Sequence, residues 1–330
     1  MTDLLEVADL TLAVDDVPIL RGVSLSVAPG EALGFVGESG SGKSMTLRAI
    51  AGLLPRAADV HGSVRLDGRE VLGLRGRDLR GHRRGLGLVF QDPRSAINPV
   101  HTVGSFLLER ARDTGRDLGP VREHALTVLR RMGITDPERR MEQYPFELSG
   151  GLLQRVMIAS VLMERPALLL ADEPTTALDV TTQADVLALT DELRREIGAA
   201  LVFVTHDLDL ATAVCDRIAV MYGGRVLETA PADWLRRAPV HPYTRALLAS
   251  RPPLERRLAE IPVVPGSPVP AAETGPGCPF ADRCPVALPA CAGSLPEERL
   301  VGSSLVRCHR ADDVRTGVLD QELPLREEVA

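Results

Sequence analysis

The chain of 330 residues holds a single lysine, Lys43, inside Gly37-Glu38-Ser39-Gly40-Ser41-Gly42-Lys43-Ser44. Every other ordinary positive charge is carried by arginine. A lysine kept at one place marks a need for a compact ammonium on a flexible stem, where a planar guanidinium fork will not fit. The octapeptide matches the phosphate-binding pattern G-x-x-x-x-G-K-[ST]. Residues 32–36 before it read as a short buried strand. Residues 44–54 after it read as a helix that stops at Pro55. Between strand and helix, the glycines let backbone N–H groups face a polyphosphate at the helix N-terminus. In this reading Lys43 reaches the β- and γ-phosphates of that polyphosphate and Ser44 holds Mg²⁺.

The formal net charge of −7 argues against a nucleic-acid-binding surface. No apolar run approaches the roughly 20 residues that span a bilayer. The acidic first residues lack a signal-peptide pattern. The expectation is a cytoplasmic protein whose membrane role comes through a partner.

Leu5, Val7, Leu10, Leu12 and Val14 alternate imperfectly, while Val23, Leu25 and Val27 alternate cleanly before the Pro29-Gly30 turn. Together with Val64 and Leu66 before Asp67-Gly68, they predict an antiparallel β layer. Residues 86–90 read as a short strand ending at Gln91. From about 102 to 165 the pattern is helical. Residues 167–171 and 201–205 are buried strands, and segments 217–220 and 225–228 flank Gly223-Gly224 as a hairpin. Strands alternating with helices place the core in the α/β class. Twelve of the 25 prolines fall between Pro239 and Pro289, which excludes regular helix or central sheet there. That stretch has few large apolar residues, and small loop-rich units of this kind usually need a staple.

A second phosphate-handling element is Leu168-Leu169-Leu170-Ala171-Asp172-Glu173, an apolar strand ending in two carboxylates, the Walker B pattern. Asp172 is expected to bind Mg²⁺ and Glu173 to act as general base on the attacking water. Leu148-Ser149-Gly150-Gly151-Leu152-Leu153-Gln154-Arg155 precedes a helix. Taken alone, Ser-Gly-Gly there is a flexible turn or helix cap. Thr176-Ala177-Leu178-Asp179 and Val204-Thr205-His206-Asp207 follow.

These five motifs, in this order, resemble the ATP-binding-cassette ATPases. The fold this resemblance implies is α/β: a P-loop NTPase with a RecA-like core, an antiparallel β layer and a helical signature subdomain, plus a small proline-rich, cysteine-stapled C-terminal extension. The expected boundaries are 1–238 for the cassette, with its helical part at about 92–165, and 239–330 for the extension. The resemblance implies that Gln91 senses Mg²⁺ and the γ-phosphate. It implies that Ser149, Gly150 and Gly151 bind the γ-phosphate of ATP held by an opposite subunit, that Asp179 is the D-loop aspartate, and that His206 is the switch histidine. Two positions depart from the family pattern. Leu152 replaces the usual signature glutamine. No aromatic residue for adenine stacking occurs in Leu10–Val14, which leaves Val14 or Val23 packing.

Phe90-Gln91-Asp92-Pro93-Arg94-Ser95-Ala96-Ile97-Asn98-Pro99, Tyr144-Pro145-Phe146-Glu147 and His241-Pro242-Tyr243-Thr244 are similar to the oligopeptide/dipeptide/nickel importer ATPases. The resemblance implies an ATPase subunit on the cytoplasmic face of the cell membrane, importing peptides, or nickel or a metallophore. Its partners would be a second cassette, often a different chain, two transmembrane permease subunits and, indirectly, an extracytoplasmic substrate-binding protein, with no nucleic acid. The rival reading is a soluble ATPase of the same fold acting on nucleic acid or ribosomes. Such proteins tend to carry two cassettes, coiled-coil insertions or basic surfaces, none of which the sequence shows. A P-loop kinase is the third reading, and the signature segment speaks against it.

Four of the five cysteines crowd together as Cys278-x5-Cys284-x6-Cys291-x16-Cys308. Four thiolates in a reducing compartment point to metal rather than disulfides. The alternatives are a [4Fe–4S] cluster, which some peptide-importer ATPases carry in this extension, zinc, or no metal. Cys215, in an expected helix over 208–216, reads as a small core residue.

Overall fold

The computed structural model describes residues 2–175, 178–250, 264, 266–320 and 323. The chain forms two compact units. Met1–Val27, Ala32–Leu74 and Val204–Ala330 make the first, and Ala28–Glu31 with Arg75–Phe203 the second.

The first unit opens with strands β1 (Leu5–Val14), β2 (Val17–Val27), β3 (Ala32–Val36), β4 (Ala58–Leu66) and β5 (Arg69–Glu70). An antiparallel sheet runs in the order β2-β1-β4-β5. Leu5, Val7, Leu10 and Leu12 are buried on one face of β1. Their alternation slips between Val7 and Leu10 because the β1–β2 register shifts there. Asp9, inside the shift, takes a left-handed φ of 48° and donates its N–H to Ser24 Oγ. Strand β3 is buried throughout, as a strand covered on both faces must be. It leads through the glycine loop into α1 (Lys43–Ile50).

In the second unit, β6 (Leu86–Val89) and β7 (Leu168–Asp172) are parallel, and β8 (Ala200–Thr205) begins beside β7. Its helices include α2 (Val103–Asp113), α3 (Leu118–Arg131), α4 (Gly150–Leu162) and α5 (Val180–Ile197). Thr102, Asp117, Ser149 and Asp179 cap these four by accepting from backbone N–H groups two or three residues on.

The chain returns to the first unit with α6 (Leu208–Val214), β9 (Arg217–Tyr222), β10 (Arg225–Pro231), α7 (Pro242–Ala249), β11 (Arg299–Val301) and β12 (Ser304–Val306). Helix α7 corrects the expectation of no regular helix between Pro239 and Pro289, because Pro242 sits in the first turn, where a missing N–H costs nothing. The strand order here is β11-β12-β10-β9-β3, with β3 and β9 parallel. Cys215 follows α6 and is buried beside Gly34, whose missing Cβ leaves room for its sulfur. Among the described residues no helix is long and apolar enough to cross a membrane.

The C-terminal region corrects the expectation of a cysteine-stapled extension. Cys278, Cys284, Cys291 and Cys308 are free thiols, as is Cys215, and no disulfide joins them. The four do line one small cavity, with His241, Phe280 and Arg310 among its other walls. Yet among the described residues no group of three or more His, Cys, Asp or Glu side chains is arranged to hold a metal ion. The iron–sulfur, zinc and general metal-binding expectations are therefore withdrawn. Burial pushes the Cys278 and Cys308 thiols up to about 12, and Cys284 upward as well. They are neutral thiols near pH 7, and the buried ones pack as small apolar groups.

Packing and hydrogen bonds hold the region instead. Strand β12 pairs with β10 and so joins the unit's own sheet. Val240, Val301, Val306, Cys308 and Ala311 form one core cluster, and Val286, Val314, Leu319 and Leu323 another. Phe280, fully buried, packs edge-on against Tyr222 and tilted against Tyr243, with ring centroids 5.6 and 5.1 Å away. Arg245, also buried, donates to Asp320 and to the carbonyls of Val314 and Leu323. Glu228 is fully buried and accepts from the N–H groups of Val240 and His241 and from Ser304 Oγ. Burial pushes its carboxyl upward.

Candidate nucleotide site

The glycine loop lies in the first unit, between β3 and α1. A Cβ on Gly37 would stand 2.1 Å from the carbonyl oxygen of Met221. Gly42, with a left-handed φ of 108°, has Leu20 and Met221 side-chain atoms where a Cβ would go. Only glycine fits at either position, so the loop backbone passes close to its supports. Gly42 is the N-cap of α1 and offers no side-chain acceptor. Backbone N–H groups at a helix N-terminus favour an anion. The cradle thus suits a polyphosphate.

Lys43 is 5% exposed, and its ammonium is folded back onto the loop itself. Nζ donates to the carbonyls of Gly37 at 2.7 Å and Glu38 at 2.9 Å, and to Ser41 Oγ at 3.4 Å. Ser41 is buried, Ser39 and Gly40 are exposed, and Ser44 is half-buried at the start of α1. Glu38 is held at two points: its N–H donates to the Tyr243 hydroxyl, and its carboxylate receives Arg283. His206 is exposed after β8, and Asp207 caps α6.

In the second unit, Asp172 ends β7 and Glu173 follows with a left-handed φ of 46°. That backbone is strained for a glutamate, and such strain clusters at functional positions. Gln91, exposed just after β6, donates from Nε2 to Glu173 Oε2 at 3.3 Å. The structure thus brings Gln91 and Glu173 together. Ser149 caps α4 by accepting from the N–H of Leu152, and Gly150 has open space where a Cβ would go. Leu152 substitutes for the family glutamine but still supplies this backbone donor. Asp179 uses both carboxylate oxygens on Thr182, whose N–H and hydroxyl donate at 3.0 and 2.8 Å. Thr176 and Ala177 lie outside the described residues.

Val23 is fully buried in the core, and Val14 is half-buried, so of the two only Val14 offers surface to a base. Sequence reasoning missed Tyr243 and Arg283 as supports of the glycine loop. The His241-Pro242-Tyr243-Thr244 segment was the available signal for the first. For the second there was none.

A model of the family "ABC transporter" matches residues 20–176. A second, "Oligopeptide/dipeptide transporter, C-terminal region", matches 227–291. The chain is 44% identical to the oligopeptide transport ATP-binding protein OppD of Mycobacterium tuberculosis over 324 residues, covering 96% of this chain and 52% of that one. It therefore spans about half the length of that relative. It is 41% identical to the oligopeptide transport ATP-binding protein OppD of Salmonella typhimurium, with 93% of each chain covered. Among solved structures, cbiO1 of Clostridium perfringens, part of an ABC transporter complex, superposes with a TM-score of 0.63. It is 28% identical, with 71% of this chain and 90% of that one covered. An ATP-binding cassette in a post-hydrolysis dimer bound to ADP and Pi gives a TM-score of 0.61 at 31% identity, over 69% of this chain and 98% of that one.

Proposed function

The chain belongs to the ABC-transporter ATP-binding subunits related to the oligopeptide/dipeptide importers, and on that premise we propose that it hydrolyses ATP to drive peptide uptake. The observation that carries this reading is the glycine cradle between β3 and α1, closed to any Cβ at Gly37 and Gly42 and lined by Lys43. The loop amides and Lys43 take the phosphates, and Ser44, Asp172 and Gln91 serve Mg²⁺. When bound, Mg²⁺ polarises the phosphoryl oxygens. Glu173, oriented by Gln91, takes a proton from the attacking water, and His206 contacts the γ-phosphate. Ser149, Gly150, Gly151 and Asp179 address nucleotide on a second cassette. Residues 1–238 act as the cassette and 239–330 as the extension. Two permease subunits and an extracytoplasmic binding protein complete the importer, with this chain on the cytoplasmic face of the membrane. The names of both OppD relatives support peptides as cargo.

The test is reconstitution with its permease and second cassette in vesicles. Peptide accumulation that needs ATP and is lost in Lys43→Ala supports the reading. ATP hydrolysis without peptide movement rejects the cargo assignment.

A further inference from the structure

Glu38 is the second residue of the glycine loop, and every polar handle it owns is engaged. Its N–H donates to the Tyr243 hydroxyl at 3.0 Å. Its carbonyl accepts from Lys43 Nζ. Its carboxylate receives two bonds from the Arg283 guanidinium, at 2.6 and 3.2 Å. The two partners are 245 residues apart in sequence. Arg283 is 5% exposed on its side chain and Glu38 21%. The guanidinium is fixed in turn by the Tyr222 hydroxyl at 3.0 Å and the carbonyls of Val264 and Gly266. It lies 5.5 Å from the Tyr222 ring centroid. Such a fork is set by its own surroundings before it meets the carboxylate.

A glutamate here puts a negative charge beside a cradle built for a polyanion. Left unpaired it would repel phosphate, and in a half-buried setting that repulsion is screened less than at an open surface. We infer that Arg283 is a positioning residue for the nucleotide: by pairing with Glu38 it neutralises this carboxylate and pins the loop, so the C-terminal extension sets ATP affinity. The inference rests on the nucleotide-binding reading.

The experiment titrates a non-hydrolysable MgATP analogue into the full chain, first wild type, then Arg283→Gln, Glu38→Gln and the double variant. Wild type that binds no nucleotide removes the nucleotide reading and this inference with it. With wild-type binding present, Arg283→Gln should weaken affinity about tenfold, the loss expected for a paired, partly buried charge. Adding Glu38→Gln should recover most of that loss, because the unpaired carboxylate goes too. A purely structural role for Arg283 predicts no such recovery. In ATPase assays the change should fall on KM, with kcat near wild type. Wild-type affinity in Arg283→Gln, or a double variant no better than Arg283→Gln, overturns the inference. If Arg283→Gln fails to fold, Arg283→Lys decides instead. It keeps the charge but loses the fork, and should weaken binding and speed amide exchange over residues 38–42. Wild-type values for both also overturn it.

Discussion

The side-chain amide of Gln91 donates to the carboxylate of Glu173 at 3.3 Å, joining residues 82 apart in sequence. Gln91 follows β6 and Glu173 follows β7, and these two strands are parallel neighbours. Register therefore delivers both side chains to the same end of the pair, beyond the C-terminal ends of the strands. This is where open α/β sheets place their ligands. The left-handed backbone at Glu173 re-aims its side chain at the end of an otherwise regular strand.

Glu173→Gln should lower ATP hydrolysis by at least about 100-fold while leaving nucleotide affinity within a few-fold of wild type. The carboxylate acts on water, whereas the phosphates are held by Lys43 and loop amides. Phosphate release and nucleotide titration measure the two effects separately. The variant should also accumulate an ATP-bound dimer on gel filtration. Turnover close to wild type would remove Glu173 from this role.

Lys43→Arg should bind ATP almost as poorly as Lys43→Ala. The native ammonium sits within 2.9 Å of two loop carbonyls, and a planar fork has no such pocket. Titration of both variants decides it, and near-normal affinity in Lys43→Arg contradicts the reading of this lysine.

Gly37→Ala should cost about 1–3 kcal/mol of stability and most of the nucleotide affinity. The added methyl meets the Met221 carbonyl at 2.1 Å, a backbone atom in β9 that cannot rotate aside. Denaturant unfolding gives the first quantity and titration the second. An unchanged unfolding midpoint counts against the close approach.

Stability should fall as pH drops below 6.5, partly through His241. Burial holds this imidazole at about 3 against an ordinary 6.5, and its Nδ1 accepts from the Tyr243 N–H. Its folded pKa is depressed, so the folded state binds fewer protons between those values. Stability is then lost at up to about 1.4 kcal/mol per pH unit on acidification. Glu228 works the other way: its carboxyl is raised, so the folded state favours its protonated form and gains as pH falls. His241→Asn keeps an acceptor for Tyr243 and cannot titrate. Its unfolding free energy should vary less steeply between pH 6.5 and 3. Equal slopes in both proteins would exclude His241 as the cause.

Much of the core was legible because its signals are local. The alternation in β1, the apolar run of β7 and the Gly223-Gly224 turn each report a conformation set by neighbouring residues. The slip at Asp9 was legible only as an irregularity, since a register shift is a property of two strands. The helix expected over 208–216 stops at Val214, with Cys215 in extended backbone. The cysteine cluster misled more. Its crowding in sequence pointed to a metal rather than disulfides, but spacing along the chain says nothing of how four sulfurs are oriented.

The sequence by itself determined the phosphate cradle, because strand, glycines, lysine and helix follow one another within a few residues and their geometry is local. Only the tertiary structure decided what supports it. Arg283, Tyr243 and the buried aromatic cluster reach the loop from far along the chain, by packing that no local pattern encodes. It also decided that the four clustered thiols stay free of one another, and that Cys278, Cys284 and Cys308 are held neutral by burial.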